Sequence, residues 1–534
     1  LNQMNISAYN RERLFYDYGS PSRPGYNIWE EYLPGMPFNG NTSLDLSQYS
    51  NKSVKIKFKT HYDNDHDGVL NPGESALLTL SANLQSAPSN AENVTGVLSS
   101  NLDWIHFNPS EINFGTLFVD GANVVIQPQI ILDDTDMLMP AVFNLSINAN
   151  FIDNGTTIDY SDTFEYELNV TLNQAGFPVS TAEIRSSPLV IDMDNDGDNE
   201  IIFGDYNGVI HIYNADGTEY VSNGFPFDTG NQIWGSAASA DLDGDGYLDF
   251  AIPSKSKHLY IFDHMGLKLD YETEAYLIGT PTIGNLDDDE GLEIVFSGYS
   301  SNNKLFVINP DGSDVYGFPL LLDEKVKAGV ALADFDGNGK DDIVFGTDES
   351  SVYLIYDDGN IADGFPFIVG DAIQTAPSIL DINGDKVIFV GTGAVTGIGQ
   401  DNNLYAINSD GNLKFIVEAN KDIRTSPSFL NHNGNQYIFF GADDSLIYAI
   451  DKNGDILNGW PVNAGAPISK SIVFSDLDCD GEAEIIAANE GSDIVAYNLD
   501  GTLHQGFPIN GSSVFSSAAV VIDLDNDGDL EILS

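Results

Sequence analysis

The sequence predicts an all-β protein: a β-propeller of eight repeats, the last incomplete, preceded by an immunoglobulin-like β-sandwich. Three observations predict it. An acidic loop recurs from Asp192, Asp241, Asn285, Asp334, Asp381, Asn431, Asp476 and Asp523, at steps of 49, 44, 49, 47, 50, 45 and 47 residues. A period of about 40–50 residues holding four short strands is the spacing of a propeller blade. Ahead of the repeats, apolar and polar residues alternate strictly, as in half-buried antiparallel strands. Helical periodicity appears nowhere in the 534 residues.

Residues 1–50 are aromatic and irregular, with Phe15, Tyr16, Tyr18, Trp29 and Phe38 among breakers such as Pro34-Gly35. They read as the end of an upstream domain or a wrap on the next one. Residues 51–174 carry the alternating runs Val54–Lys59, Phe143–Asn148 and Phe164–Val170 and form the sandwich. Residues 175–534 are the repeats. Each unit reads Gly-Phe-Pro (Gly224-Phe225-Pro226 in one), a small-residue strand, the acidic loop, an apolar strand such as Glu200–Gly204, a third strand and an Asp-Gly turn. The chain ends inside the eighth unit, so the propeller is expected to have seven or eight blades and the natural chain to continue past Ser534.

The loop chemistry is specific. In Asp192-Met193-Asp194-Asn195-Asp196-Gly197-Asp198-Asn199-Glu200, carboxylates at alternate positions point into one turn, and glycine at the sixth takes the left-handed conformation that closes it. The carbonyl of the seventh residue and the acid at the ninth complete an oxygen cage. About six to eight hard oxygens in flexible geometry suit Ca²⁺. The expected ligands are Asp192, Asp194, Asp196, Asp198 and Glu200; Asp241, Asp243, Asp245, Tyr247 and Asp249; Asp476, Asp478, Asp480, Glu482 and Glu484; and Asp523, Asp525, Asp527, Asp529 and Glu531. The fourth loop offers Asp334, Asp336, Asn338, Lys340 and Asp342; the third offers Asn285, Asp287, Asp289, Gly291 and Glu293, with Glu290 where glycine is expected. The loops at Asp381 and Asn431 lack the final acid and read as plain turns. About six ions are thus expected in the propeller. A seventh belongs to the sandwich, where Asp63, Asp65, Asp67, Val69, Asn71 and Glu74 have the offsets of an EF-hand loop between strands instead of helices.

On these motifs the repeats resemble the FG-GAP or VCBS family of calcium-binding propellers, related in pattern to the integrin α-subunit propeller, over about two thirds of the chain. The stretch Asp67–Glu74 with its alternating strands resembles modules of large secreted bacterial peptidases. The first resemblance implies a calcium-bound propeller whose ligands meet the face opposite the calcium loops.

The composition agrees. The 81 acids against 21 Lys plus Arg leave a net charge of −60, which excludes nucleic acid as a natural partner and disfavours anionic membranes. Bound cations would offset that charge; a solvated acidic surface is the alternative. The single cysteine, Cys479, lies between acids that oppose a thiolate and permits no internal disulfide, as expected of an exported bacterial or archaeal protein. No run of 18 apolar residues marks a membrane span. The chain begins at Leu1, as expected of a processed protein or a piece of a longer one. Eight Asn-x-Ser/Thr sequons, seven of them ahead of the propeller, offer glycosylation sites.

No catalytic signature such as a nucleophile elbow, zinc helix or phosphate loop is present. The residue before each innermost strand is Arg185, Trp234, Ile278, Lys327, Gln374, Arg424, Ser469 and Phe515. These positions should ring the channel mouth opposite the acidic loops. Arg185, Trp234, Lys327, Gln374, Arg424 and Phe515 suit a sugar or an acidic ligand; pairing with local acids and plugging of the channel is the structural alternative. The resulting expectation is a secreted or cell-surface, calcium-binding, non-enzymatic protein that binds an extracellular glycan or protein ligand. Rival readings are the non-catalytic C-terminal region of a secreted peptidase, a propeller polysaccharide lyase, and a self-assembling subunit of a surface layer or filament.

Overall fold

The structure, a computed structural model, describes residues 70–85, 89–119, 121–133, 141–153, 155–168, 170, 176–289, 291–299, 303–393, 401–478, 480–511, 514–525 and 530–534, and the backbone of 42–45 and 53–61. Most of the aromatic segment 1–50 therefore lies outside the described residues. So do the first four residues named for the EF-type loop: Asp63, Asp65, Asp67 and Val69. The chain divides into two compact units, Leu1–Val179 and Ser180–Ser534.

The first unit is two antiparallel sheets. One orders Thr42–Asp45, Ser53–His61, Ser75–Gln85, Gln129–Leu132 and Ile105–Asn108, with Val124–Ile126 also on Ser75–Gln85. The other orders Thr156–Leu168, Ala141–Asp153, Ala91–Ser99 and Glu111–Leu117. The two-residue period decides which side chains go inside. Phe143, Leu145 and Ile147 alternate inward from one sheet, Leu78, Leu80 and Ala82 from the other, and all six share one core. Phe143 stacks on Tyr166 at 5.4 Å.

The second unit is all-β: seven sheets of at least four strands and an eighth of two, Val520–Ile522 with Glu531–Leu533. The first sheet runs Leu189–Ile191, Glu200–Gly204, Val209–Asn214 and Phe227–Asp228, every pair antiparallel. Its second strand is buried throughout, because it is covered on both faces. The cores lie between successive sheets: Ile202, Ile210 and Ile212 of the first share a cluster with Phe250, Ile252, Tyr260 and Phe262 of the second. This is the blade arrangement of a β-propeller.

The Gly-Phe-Pro signature does not open the unit, contrary to the sequence reading. It lies between the third and fourth strands. Phe225 is buried between the first two blades, 5.0 Å from Phe262, and this anchor turns the chain so that Phe227–Asp228 pairs on Val209–Ile210. A second recurrent glycine ends the second strand. A Cβ at Gly204, Gly346, Gly391 or Gly441 would overlap Ile233, Ile373, Ile423 or Ile468, the isoleucine that precedes the next inner strand. Glycine here lets each blade close against its neighbour.

The ring is joined end to end. Ser187 N donates to Ser236 Oγ, and Ser236 N to Thr280 Oγ1, linking blades one, two and three at 2.8 and 3.1 Å. By the same relation Ala518 N donates to Ser187 Oγ at 3.1 Å, linking the eighth sheet to the first blade.

Candidate metal centres and the opposite rim

Six of the inner strands end in an acidic loop, four of them with the same glycine bond. The sixth-position glycine donates its N–H to the first aspartate: Gly197 to Asp192, Gly246 to Asp241, Gly339 to Asp334 and Gly481 to Asp476, at 2.9–3.1 Å. Each of these glycines has φ between 92° and 101°, where a Cβ would be strained. The ninth-position acid turns back and accepts from the second residue: Met193 N to Glu200, Leu242 N to Asp249, Leu286 N to Glu293, Phe335 N to Asp342, Leu477 N to Glu484 and Leu524 N to Glu531, at 2.6–3.0 Å. That bond occupies one carboxylate oxygen; in Asp342 the other also accepts, from Asp357 N at 3.1 Å.

Three loops bring first, third and ninth acids together, with ligand oxygens all within 4.8 Å: Asp192, Asp194 and Glu200; Asp334, Asp336 and Asp342; Asp476, Asp478 and Glu484; in the third loop, which starts at Asn285, the third, fifth and ninth acids Asp287, Asp289 and Glu293 converge in the same way. In the second loop the group is Asp241, Asp243 and Asp245 instead. Its ninth acid, Asp249, is engaged by Lys268, whose Nζ lies 3.2 Å from Asp249 and 2.6 Å from Asp243. In the eighth loop Asp527 and Asp529 lie outside the described residues, as does Glu290 of the third.

The donor set fits a hard divalent cation. Asp192 Oδ1, Asp194 Oδ1, Asn285 Oδ1 and Glu293 Oε1 are buried without a hydrogen-bond partner, and a buried oxygen with no donor is costly. Burial, reinforced by the neighbouring aspartates, pushes Glu200 and Glu293 up to about 7 and Asp342 up to about 6. These are oxygens placed for a positive charge. Asp196, Asp198, Asn338, Asp480 and Glu482 are exposed, and Tyr247 and Lys340 are half-buried; the fifth-position side chains of Asp196, Asp245, Asn338 and Asp480 accept from the seventh-position N–H at 2.7–3.0 Å. Lys340 Nζ reaches Asp288 of the adjacent loop at 2.9 Å and Asp357 at 3.1 Å. In the sandwich, Asn71 N donates to Glu74 at 2.7 Å and Asn71 Oδ1 is buried without a partner.

The loops at Asp381 and Asn431 are tight hairpins. Ile382 pairs with Asp385 across Asn383-Gly384, and His432 with Asn435 across Asn433-Gly434. Both turn residues have positive φ in each case, 59° and 92°, then 50° and 76°, the geometry that selects Asn-Gly. The missing final acid marks both as plain turns in the sequence; the Asn-Gly dipeptide names the turn type.

The opposite end of each inner strand carries the residues expected at the channel mouth. Consecutive members touch. Lys327 Nζ donates to Gln374 at 2.8 Å. Arg185 lies 4.6 Å from the ring centres of both Trp234 and Tyr206, and Lys255 covers Trp234 at 4.1 Å. Two cations thus lie against Trp234. Arg185 also pairs with Glu183 at 2.7 Å, and Arg424 with Asp443 at 2.6 Å and Glu490 at 2.9 Å. Phe515 packs in the core beneath the last blade. Sequence reasoning missed Lys470. It stands one residue beyond the ring position, where the other seven units have Ser186, Gly235, Gly279, Ala328, Thr375, Thr425 and Ser516. Among the described residues it has no hydrogen bond or ion pair. Burial lowers its pKa, and nearby Arg424 and Arg185 lower it further against the pull of Glu490. Of the long insertion between Thr392 and Asp401, residues 394–400 lie outside the described residues.

Comparison with known proteins agrees with this architecture. Residues 192–252 and 476–534 match the family model of the FG-GAP-like repeat. The fold is therefore that of a β-propeller carrying FG-GAP-like repeats. Among solved structures, a chain from the crystal structure of BBS1N in complex with ARL6DN, soaked with lead, is 11% identical, with a TM-score of 0.40 over 60% of this chain and 91% of that one. The crystal structure of the WD40 β-propeller domain of Doa1 is 11% identical, with a TM-score of 0.37 over 61% and 92%. No curated protein matches.

Proposed function

We propose that this is an exported, calcium-stabilised surface protein whose propeller binds an extracellular glycan or protein ligand at the rim opposite the calcium loops, by recognition and not by catalysis. The observation that carries the calcium part is the set of converging acids with buried oxygens that lack a donor. The rim supports the ligand part: Arg185, Lys255, Lys327, Arg424 and Lys470 gather there in a chain with only 21 Lys plus Arg. An acidic or polyhydroxylated ligand matches cations backed by Gln374 and Gln232. Trp234, with Arg185 and Lys255 against its ring, contributes by holding those two cations in place. Low cysteine content and calcium dependence both suit an extracellular setting.

The test is a glycan and matrix-protein array probed with the full chain in calcium and after calcium stripping. Binding in calcium that falls after stripping supports the reading. Absence of any ligand class, with ordered polymers seen by electron microscopy, would replace it with a surface-layer or filament role.

A further inference from the structure

We propose that Lys268 is a built-in counter-ion of the second loop, so that this loop holds calcium far more weakly than those at Asp192, Asn285, Asp334 and Asp476. The inference rests on the reading of the loops as calcium sites and says which one differs.

The geometry is particular to this blade. Lys268 Nζ bridges the third-position Asp243 at 2.6 Å and the ninth-position Asp249 at 3.2 Å. The lysine is 21% exposed and the Asp249 side chain 2%, so water screens the contact poorly. In four other loops the third and ninth acids converge, with the first acid in three and with the fifth in the loop at Asn285; here the converging group is Asp241, Asp243 and Asp245, without Asp249. Calcium on both Asp243 and Asp249 would sit about 2.4 Å from their oxygens. That would bring a doubly charged ion to within about 5 Å of the ammonium, and like charges at that distance repel strongly.

The backbone explains how a lysine comes to be there. The fourth strand of this blade, Gly266–Glu272, has seven residues, against two in Phe227–Asp228 of the first. Its pairing slips between Ile261 and Phe262, which face Leu269 and Leu267, so Lys268 is the extra residue of a β-bulge. Bulges re-aim side chains. Blade five has the same slip, between Ala406 and Ile407 facing Phe415 and Leu413, and its bulged residue is Lys414. In that blade the acidic loop is reduced to the Asn383-Gly384 hairpin, and Lys414 stays exposed. The two blades with a bulged lysine are thus one whose shortened loop lacks the final acid and one whose third and ninth acids the lysine already pairs with.

The full chain is stripped of calcium, titrated with calcium alone and its ions counted by native mass spectrometry, with affinities from calorimetry. The Lys268→Met variant is expected to bind one more ion than wild type, or to tighten one site at least tenfold, while Lys268→Arg behaves as wild type. Wild-type calcium binding that is unchanged in Lys268→Met overturns the proposal and leaves the calcium reading intact. No calcium on either protein overturns both. A second variant guards against misfolding of the first. At calcium that fills the other loops, Asp245→Asn is expected to leave the wild-type ion count unchanged, whereas Asp194→Asn lowers it by one. A lost ion in Asp245→Asn overturns the proposal.

Discussion

Asn199, in the first acidic loop, donates its side-chain N–H to the main-chain oxygen of Asp523, in the eighth, at 3.2 Å across 324 residues of chain. The same step recurs between neighbouring loops: Asp341 N donates to Asn285 O at 2.7 Å, and Gln436 Nε2 to Asp381 O at 2.8 Å. The eighth residue of the full-length loops, and the sixth of the shortened loop at Asn431, thus grips the first residue of the loop before it. The contact from Asn199 to Asp523 makes the last unit the neighbour of the first, as the bond from Ala518 to Ser187 does on the inner strands.

Ring closure is therefore testable at two points. Ser187→Ala removes the acceptor for Ala518 N, while the main-chain N–H of residue 187 still donates to Ser236 Oγ. A net loss of about 1 kcal/mol per hydrogen bond is the usual scale. The Ser187→Ala, Asn199→Ala double variant is expected to lose about 2 kcal/mol in denaturant unfolding and to expose the first and eighth units first to limited proteolysis. Uniform protection around the ring would contradict closure at this seam.

The recurrent glycine at the end of the second strand sets a larger effect. A methyl at Gly441 meets the buried Ile468 side chain and Thr425, and neither has room to retreat. Overpacking of this kind costs about 1–3 kcal/mol. Gly441→Ala is expected to lower the melting temperature markedly, and Gly441→Ala with Ile468→Val to recover part of the loss. Recovery is the diagnostic result, since a purely backbone effect would not respond to Ile468.

The period of the acidic loops was legible because each loop needs the same carboxylates at the same offsets, and alternation in Phe143–Asn148 was legible because a sheet has two faces. The unit boundary was misread because Gly-Phe-Pro is the loudest local signal, whereas its place depends on Phe225 reaching Phe262 in the next blade. The Asn-Gly hairpins were readable as plain turns from the missing final acid. Lys268 was not, because a bulge that shifts pairing by one residue leaves no mark in the sequence. Lys470 was within reach: aligning the units one residue further along shows a lysine where the other seven have small residues.

Calcium and protons are expected to act in opposite directions. For Glu200 the unfolded value is 4.5 and the folded value, without an ion, about 7; Glu293 behaves alike. Between those values the folded chain keeps protons that the unfolded chain has released, so stability of the calcium-stripped protein falls as pH rises from about 4.5 to about 7. With calcium bound the same acids must be ionised, so acidification over that window displaces the ion and lowers stability. Melting curves at pH 5 and pH 7.5 should therefore rank oppositely in stripped and calcium-loaded protein. Identical ranking would mean that these carboxylates do not meet the ion.

The loops should also be unequal. Asp194→Ala or Asp478→Ala is expected to remove one ion each, at a cost of about 2.7 kcal/mol when calcium stands a hundredfold above its dissociation constant. Asn433→Ala should leave the ion count unchanged, because Asn433-Gly434 closes a two-residue hairpin. An ion found at that hairpin in a calcium-soaked crystal would contradict this division.

Lys470 gives the most selective probe of the rim. Arg424 is held by Asp443 and Glu490, and Trp234 has Arg185 and Lys255 against its ring, so removing either strands partners and disturbs the fold around it. Lys470 has no ion-pair partner to strand among the described residues, and removing a half-buried ammonium relieves its desolvation cost. Lys470→Met is expected to keep or slightly raise the melting temperature and to keep the calcium count. It should also weaken binding of an acidic ligand at least tenfold, about 1.4 kcal/mol. Trp234→Ala should weaken binding too, but with a fall in melting temperature, because it releases two cations. An array signal that survives Lys470→Met undiminished would place the ligand away from this rim.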